Sequence, residues 1–295
     1  MKKTIKYILI FTSILFFTAC EDVVQIKLDE GSKLFVIDAF VTNMRSTQII
    51  RVVTNDTYFS NREAPPVSDA QVILKDLTAQ KQFTFIYAGN GNYAYTISAN
   101  DTIAKPNHQY ELNVTIDGTT YTSLTTQKRP AGLDSVQAIY NDGSGGFGPP
   151  GKSDYNCLLW AKDKVDAVSD YYWIKTFRND TLLGASTDLN LSIDGTNGPV
   201  TDLPVDSTVF TPPIVFLGFN RFFPGSSCKV EIHSIAKETY YFFVQAASQI
   251  NNGGLFATTP ENVKTNIVTP SGAKTKAIGW FNMSSVASQK IVIPK

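Results

Sequence analysis

Apolar and polar residues alternate along most of the chain after Lys33, so every second side chain faces the same way. In YELNVTIDGTTYTSLTT, residues 110–126, the apolar side chains of Leu112, Val114 and Ile116 share one face of a predicted strand. The Asp-Gly pair that follows is typical of a tight hairpin turn. Short runs of this kind, rich in Val, Ile, Tyr, Phe and Thr, recur between turn residues. They predict an antiparallel β-sandwich and not the strand–helix alternation of nucleotide-binding α/β folds.

One segment follows a helical period instead. Apolar side chains recur every three or four residues in SIAKETYYFFVQAASQINNGG, residues 234–254. Ser234 is a favourable N-cap residue, and the Asn and Gly residues at the end suit a helix C-terminus. We predict a helix near residues 235–251 that crosses between strands.

The pattern divides the chain into two all-β domains, both expected to be immunoglobulin-like or fibronectin-like sandwiches. The first covers residues 33–128. The segment RPAGLDSVQAIY, residues 129–140, leads into the second, which covers residues 129–295 and contains the helix. The glycine- and proline-rich stretch 141–153 is longer than a typical connection, and its role stays open.

The beginning of the chain has the organisation of a secretory signal. Lys2, Lys3 and Lys6 precede an uncharged stretch, residues 7–17, which is shorter than the about twenty residues that a transmembrane helix needs. The FTAC sequence that follows, ending at Cys20, resembles a bacterial lipobox. In a lipobox the cysteine is acylated and becomes the first residue of the mature chain.

Lipidation of Cys20 predicts a signal peptide of residues 1–19 and a tether of residues 20–32. The acyl chains would hold the protein at the outer membrane, on its periplasmic face or at the cell surface, because each buried methylene contributes about 0.8 kcal/mol. Glu21 and Asp22 resemble a surface-export signal and equally suit a solvated tether. The alternative is a secreted protein in which Cys20 stands at this position by chance.

Composition narrows the choice of partners. Removal of the signal peptide takes away three of the 26 basic residues and none of the 26 acidic ones, which leaves a net charge of about −3. No basic stripe occurs, so we expect no nucleic-acid partner. Two further cysteines, Cys157 and Cys228, stand about 70 residues apart. An oxidising compartment permits a disulfide bridge between them, and two separate buried thiols are the alternative.

Several motifs together resemble one family. They are PPVSDAQVILKD (65–76), GNGNYAYTI (89–97), SDYYWIKTF (169–177), the segment from YYFFVQAAS to NIVTP (240–270), and AIGWFNMSS (277–285). The chain resembles, over nearly its whole mature length, the Bacteroidetes outer-membrane lipoprotein family catalogued as domain of unknown function 4249. Such proteins are often encoded beside TonB-dependent transporters, so the resemblance implies an accessory component of an uptake system. It implies no catalytic residue.

Signals for catalysis are weak. GFGPPGKS, residues 146–153, matches the P-loop pattern, but no helix is predicted after it. The only two histidines, His108 and His233, lack the spacing of a metal site, and no nucleophile elbow is present. We predict no enzyme activity, no cofactor and no metal site.

Two sets of residues are candidates for contact with other molecules. The first is the segment FLGFNRFFPGSS, residues 216–227, where aromatic rings surround an arginine as at many interface hot spots. Its members are Phe219, Arg221, Phe222 and Phe223, which either bind a partner or close the end of the sandwich. The second set lies in Asp-Ser/Thr triplets that resemble Bacteroidetes O-glycosylation sites, and its members are Thr102, Ser135, Thr181 and Ser207.

Three functions are compared on this basis. The sequence favours a lipid-anchored binding or accessory protein that is associated with a TonB-dependent transporter. The alternative is a free-standing surface module that binds glycans or proteins. An enzyme would need a cleft with clustered acids, which no sequence motif indicates.

Overall fold

The computed structural model describes residues 31–57, 60, 62–98, 103–141, 154–162, 170–184, 189–193, 222–252, 259 and 263–295. The predicted signal peptide, most of the predicted tether and the stretch 142–153 lie outside the described residues. So do five of the candidate site residues, which are Cys20, Thr102, Ser207, and Phe219 and Arg221 of the aromatic segment.

Seven strands form the first sandwich. They are β1 (Leu34–Thr42), β2 (Thr47–Thr54), β3 (Gln71–Asp76), β4 (Lys81–Gly89), β5 (Asn92–Thr96), β6 (Gln109–Ile116) and β7 (Thr119–Thr126). Neighbouring strands follow the order β1-β2-β5-β4-β3-β6-β7, and all of these pairs are antiparallel. The strands enclose one apolar core, whose centre includes Ile37, Val52, Leu74 and Tyr110.

The remaining elements are largely those of the second sandwich. They are β8 (Gly132–Asn141), β9 (Asp154–Lys162), β10 (Tyr171–Arg178), β11 (Thr181–Leu182), β12 (Asn190–Ile193), β13 (Ser227–Ile235), α1 (Lys237–Ile250) and β14 (Lys276–Val292). The two-stranded sheet β8-β9 packs on the sheet that contains β10, β13 and β14. Val136, Leu159, Ile174 and Val230 lie between these sheets.

The predicted fold class is confirmed. The described chain is all-β with sandwiches of the immunoglobulin or fibronectin type and one helix among its described residues. The alternation of apolar and polar residues also predicted correctly which side chains of β6 face the core, because buried and less buried residues alternate along this strand. Asp117 and Gly118 have positive φ angles of 49° and 74°, as the hairpin turn between β6 and β7 requires. No helix in the described ranges is long and apolar enough to span a membrane.

The helix was predicted at the right place, but its cap was not. Ser234 is part of β13, where it pairs with Ser285 of β14, so its side chain cannot cap the helix. The N-cap residue is Ala236, which offers no side-chain hydrogen bond. Strand pairing therefore extends almost to the helix, and it overrides the local preference of serine for a cap.

The last strand joins the two sandwiches. In its first nine residues β14 runs parallel to β1, from Lys276 opposite Leu34 to Ser284 opposite Thr42. Its later residues, from Ser285 onward, pair antiparallel with β13. Strand β14 thus contributes to the sheet of the first sandwich as well as to the second. The predicted domain boundary at residue 128 did not include this long-range pairing.

Candidate functional site

Strand β14 changes partners between Ser284 and Ser285, and we infer from the ring contacts across it that it bends there and forms a cleft between the sheets on its two sides. In the strand register, Asp38 of β1 lies opposite Trp280 of β14. Lys175 of β10 lies opposite Glu231 of β13, which in turn lies opposite Ser288 of β14. Trp280 and Ser288 are eight residues apart, a distance of about 26 Å along a straight strand. Nevertheless Asp38 and Lys175 are close enough to interact electrostatically. The two sheets must therefore lean toward each other across the bend.

Aromatic rings close the bottom of this cleft. The ring of Phe40, on β1, lies 6.0 Å from that of Trp173, on β10, and stacks on Phe243 of α1 at 5.3 Å. Trp173 in turn lies 4.7 Å from Phe243. These ring contacts show independently of any charge that the two sheets meet here, with helix α1 between them.

A chain of hydrogen bonds fixes helix α1 to β14. The Trp280 indole N–H donates to Thr239 Oγ1 at 2.9 Å, and this hydroxyl donates to Asn282 Oδ1 at 2.9 Å. The Asn282 amide continues to Ser284 Oγ at 2.7 Å. All of these groups are buried, so the chain positions α1 and holds the bend of β14 in one geometry.

Charged residues line the two walls above the rings. Asp38 and Arg51 are cross-strand neighbours on β1 and β2, and Lys175 and Glu231 are cross-strand neighbours on β10 and β13. The Lys175 ammonium lies 3.8 Å from the centroid of the Trp173 ring, a cation–π contact. We call the surface formed by Asp38, Arg51, Trp173, Lys175 and Glu231 the charged cleft.

The electrostatics fit a concave surface. Asp38 is exposed to solvent, yet burial raises its pKa, against the opposing effects of Arg51 and Lys175. Burial lowers the pKa of Lys175, and Glu231 and Asp38 oppose that change. A group that water reaches, but that protein surrounds on several sides, shows this combination. Perturbed groups of both signs in one cleft are typical of functional sites.

The charged side chains of the cleft differ in whether they form hydrogen bonds and ion pairs. Glu231 is held by Lys229 Nζ at 3.0 Å and lies 3.2 Å from His233 Nε2. By contrast, the side chains of Asp38, Arg51 and Lys175 form no hydrogen bond or ion pair within the part of the chain that the structure describes. Among the described residues, Asp38 interacts electrostatically with Arg51 and Lys175, and Lys175 also lies against the Trp173 ring.

His233 supports this arrangement from the buried side. Only 2% of its surface is exposed, and burial lowers its pKa, with Glu231 acting in the opposite direction. Burial would raise the pKa of Glu231, but the hydrogen bonds from His233 and Lys229 outweigh it and lower that pKa. His233 thus orients a carboxylate at the edge of the cleft, and no described group near it has the position of an activated nucleophile.

The other histidine has a structural position. His108 Nδ1 lies 2.8 Å from Oδ2 of Asp76, which is 1% exposed. The same carboxylate accepts the backbone N–H groups of Thr78 at 3.1 Å and Ala79 at 2.8 Å, and so fixes the turn between β3 and β4. Burial alone would raise the pKa of Asp76, but the hydrogen bonds from Ala79 and His108 hold that pKa below its usual value.

We expect Asp76→Asn to lower the free energy of unfolding by about 2 kcal/mol at neutral pH, since a buried charged acceptor becomes a neutral one. Because its folded-state pKa is lowered, the contribution of Asp76 is complete above the ordinary carboxyl pKa. It is lost as the pH falls through the lowered value, so the difference between variant and parent should vanish in acid. Urea unfolding at several pH values measures this difference, with Asp117→Asn in the exposed β6–β7 turn as the control. A difference that persists unchanged in acid would contradict the assignment.

The two candidate bridging cysteines lie side by side. Cys157 of β9 and Cys228 of β13 are both buried, and the structure holds them as free thiols. The hydrogen bond with Cys228, together with burial, raises the pKa of Cys157. The predicted bridge is not formed in this structure and stays a prediction, but the fold brings the required partners into contact.

The described part of the aromatic segment divides between core and surface. Phe222 is fully buried in the second core and exchanges backbone hydrogen bonds with Tyr155, so its side chain is not available to a partner here. Phe223 is 46% exposed, and the Arg178 guanidinium lies 5.5 Å above its ring. Ser135 is half-buried in β8 and Thr181 is exposed in β11, and glycosylation of either residue stays a prediction.

Comparisons with known proteins identify a family but no activity. A family model described as "Domain of unknown function (DUF4249)" matches residues 21–290. None of the curated proteins matches the chain. Among solved structures, the chain is similar to the FN1-FN3 domains of chicken CNTN1, with 10% identity and a TM-score of 0.22 over 92% of this chain and 71% of that one. At this TM-score the likeness adds nothing to the strand pairing described above. No group of three or more potential metal ligands occurs in the described ranges.

Proposed function

We propose, because the chain belongs to the family described as domain of unknown function DUF4249, that it is a lipid-anchored outer-membrane protein that works by binding. Within this proposal it serves as an accessory component of a TonB-dependent transporter and catalyses no reaction. The anchor is the acylated Cys20, and the protein stands on the periplasmic face of the outer membrane or at the cell surface.

One observation is the main support for the proposed lipid anchor. The family match begins at residue 21, directly after the cysteine that ends the lipobox-like FTAC sequence. A lipoprotein signal would be removed just before that cysteine, so the segment shared with the family is the segment that would remain. The positively charged start and the short apolar stretch support the same processing.

The charged cleft supports binding as the mode of action. It combines aromatic rings with charges of both signs, and the Lys175 ammonium lies against the Trp173 ring. Binding sites commonly have this mixture of apolar walls and a few polar groups. The exposed Phe223 beside Arg178 keeps the second candidate, a free-standing surface module, under consideration.

We expect the envelope-purified protein to carry lipid at Cys20 and to fractionate with membranes. Metabolic labelling with an alkyne fatty acid, followed by intact mass measurement, should show acyl chains on a chain that lacks residues 1–19. Cys20→Ser should lose both the label and the membrane association. The matched control is Cys228→Ser, which changes a buried cysteine far from the signal and should keep the label. An unlabelled Cys20 in the parent would refute the anchor, and mass beyond peptide plus lipid would reveal glycans.

The partner is tested on the same material. Extraction in a mild detergent and affinity purification should recover a large outer-membrane barrel protein with the parent chain, and less of it with Cys20→Ser. Recovery of a labelled protein without such a barrel, in repeated preparations, would leave the anchor standing and exclude the transporter. The outcome would then favour the free-standing binding module.

A further inference from the structure

Strand β8 lies at the edge of the second sandwich, with β9 as its one neighbour among the described strands. We propose that the other edge of β8 binds an extended segment of a different polypeptide, which adds to the β8-β9 sheet as a further strand. Strand addition is a common mode of peptide recognition, in which backbone hydrogen bonds supply the affinity. The inference rests on the proposed function as a binding protein and names the surface and the kind of partner.

The hydrogen bonds of β9 show which groups of β8 face outward. Tyr155 of β9 exchanges two backbone hydrogen bonds with Phe222, at 2.8 and 2.9 Å. Its N–H and C=O groups therefore point away from β8, where Tyr140 is its partner in the register. Residues that face each other across an antiparallel ladder either exchange both hydrogen bonds or point both sets of groups away from each other. The N–H and C=O groups of Tyr140 thus face the outer edge of β8.

Two further residues present their backbone groups in the same direction. The pairing of β8 with β9 is regular after the bulge that follows Leu133, and the direction of the backbone groups alternates from residue to residue. The N–H and C=O groups of Val136, Ala138 and Tyr140 therefore form one row, which we call the open edge. Within the described ranges, no hydrogen bond to these six groups occurs. A row of alternating donors and acceptors matches the backbone of an extended chain.

The other sheet edges of the described chain are short or covered. Strands β11 and β12 contain two and four residues. Strand β7 exchanges two backbone hydrogen bonds with Val268 through Thr122, at 3.2 and 2.7 Å. Strand β8 is ten residues long, and its sequence GLDSVQAIYN contains no Lys, Arg or Pro, the residues that commonly protect an edge. Its bulge and its one charge, Asp134, both lie near its start and leave residues 135–140 unprotected.

The side chains beside the open edge favour an uncharged partner segment. Tyr140 is 53% exposed and Ile139 is 46% exposed, and they lie on opposite faces of the strand because they are adjacent in sequence. Side chains of an added strand would lie about 4.5–5.5 Å from those of β8, so the segment would cover part of both. Residues 135–140 carry no charge. A segment with apolar or β-branched residues at alternate positions fits this surface.

The direction of β8 argues against a second copy of the chain as the partner. Just before β8, the Lys128 carbonyl accepts a hydrogen bond from Ser285, where β14 enters the second sandwich. The far end of β8 lies at the level of Phe222, and Gly225 donates its N–H to Ile293 after the end of β14. Strand β8 therefore runs with β14, away from the tether that precedes β1. Two copies that share one continuous sheet through this edge would be antiparallel and would direct their tethers oppositely, whereas anchors in one membrane require the same direction.

Amide hydrogen exchange of the purified, processed protein tests whether the edge is open. We expect the N–H groups of Val136, Ala138 and Tyr140 to exchange about 10-fold faster than those of the intervening residues, which bond to β9. Residue-resolved exchange measured by nuclear magnetic resonance provides the comparison. Equal protection of both sets would show that the protein's own chain covers the edge, and would overturn the inference.

A photo-crosslinking residue identifies the occupant in intact cells. The probe is p-benzoyl-L-phenylalanine in place of Tyr140. We expect ultraviolet light to link it to a different polypeptide, and mass spectrometry should place the link within one segment that has apolar or β-branched residues at alternate positions. The control carries the same probe in place of Tyr241, a tyrosine on α1 that is 39% exposed and lies outside the open edge. It should not give this product.

A proline variant tests whether backbone hydrogen bonds hold the segment. Ala138→Pro removes one N–H of the open edge and no hydrogen bond to β9, and proline is tolerated at such edge positions. The yield of the cross-link should fall about 10-fold, while thermal unfolding shows that the variant is folded. Ala138→Ser keeps the N–H at the same position and should cross-link as the parent does. If Ala138→Pro does not fold, Ile139→Lys takes its place, because it puts a charge beside the edge.

Three results of the cross-linking would overturn the inference, namely no link from position 140, a link to a second copy of the chain, and an unchanged yield in the folded edge variant. A protein that is lipidated and recovered with a barrel, yet gives no link from position 140, would refute this inference and leave the proposed function intact. A link that Ala138→Pro abolishes, made by a chain without lipid at Cys20, would uphold strand addition and refute the proposed anchor.

Discussion

Replacing Gly279 by alanine is expected to lower the free energy of unfolding by at least about 3 kcal/mol, the upper range for a strained backbone position. Gly279 lies in β14 opposite Ile37 of β1 and has a φ angle of +116°, which side chains other than hydrogen rarely allow. An added Cβ would lie 2.0 Å from the Ile37 carbonyl oxygen. That oxygen belongs to the backbone of a central strand, so it cannot move without breaking the parallel pairing of β1 and β14.

Urea unfolding of the purified protein, followed by circular dichroism, measures this loss. The control is Gly118→Ala, at a φ angle of +74° in the β6–β7 turn, where an added Cβ meets no atom within 4 Å. Gly118→Ala should lower the free energy of unfolding by only about 1–2 kcal/mol, the cost of placing an alanine in the left-handed backbone conformation. If Gly279→Ala is no more destabilising than Gly118→Ala, the result would contradict the close contact between Gly279 and the backbone of Ile37. If Gly279→Ala cannot be purified, pulse proteolysis in lysate provides the comparison.

Reduction of a Cys157–Cys228 bridge is expected to lower the free energy of unfolding by about 4 kcal/mol, because the bridge closes a loop of about 70 residues in the unfolded chain. The two residues join the β8-β9 sheet to β13 across the second core, where both are already in contact. Formation of the bridge would need an oxidant, such as an oxidised thiol–disulfide oxidoreductase that accepts two electrons and two protons from the thiols.

The order of events follows from the thiol chemistry. In the folded protein the pKa of Cys157 is raised, so little of the reactive thiolate is present. Oxidation should therefore precede the closing of the two sheets. Protein purified without reductant, denatured and treated with iodoacetamide should show no alkylation at Cys157 or Cys228.

The double variant Cys157→Ala/Cys228→Ala separates the bridge from the packing of the sulfur atoms. It should unfold at the same denaturant concentration with and without reductant, whereas the parent protein should shift. Full alkylation of both cysteines in the unreduced parent would show that they are separate buried thiols, the alternative that the sequence left open.

Local patterns in the sequence predicted the local parts of the fold. The β6–β7 hairpin was predicted from a period of two and an Asp-Gly pair, and both features depend on residues close together in the chain. The helix was predicted from its spacing for the same reason. The pairing of β1 with β14 was not predicted, because nothing near Leu34 records that its partner stands about 240 residues later. Gly279, within an otherwise bulky strand sequence, was the available sign of a close backbone approach.

The charged cleft was missed for the same physical reason. Asp38, Lys175 and Glu231 come from three strands that are distant in sequence, and only the bend of β14 brings them together. Asp38 is the only charged residue of the otherwise largely apolar strand β1, which is an unusual place for an isolated charge. The sequence drew attention instead to the aromatic segment, where Phe222 proved to be a core residue.

The double membership of β14 makes the completion of both sandwiches depend on one strand. Strand β1 is the first of the described strands, yet its parallel neighbour β14 is the last of them. During synthesis the sheet of the first sandwich therefore lacks this neighbour until β14 has been made, and contacts so distant in sequence form slowly. The arrival of β14 then supplies the missing strand to both halves of the described chain at once.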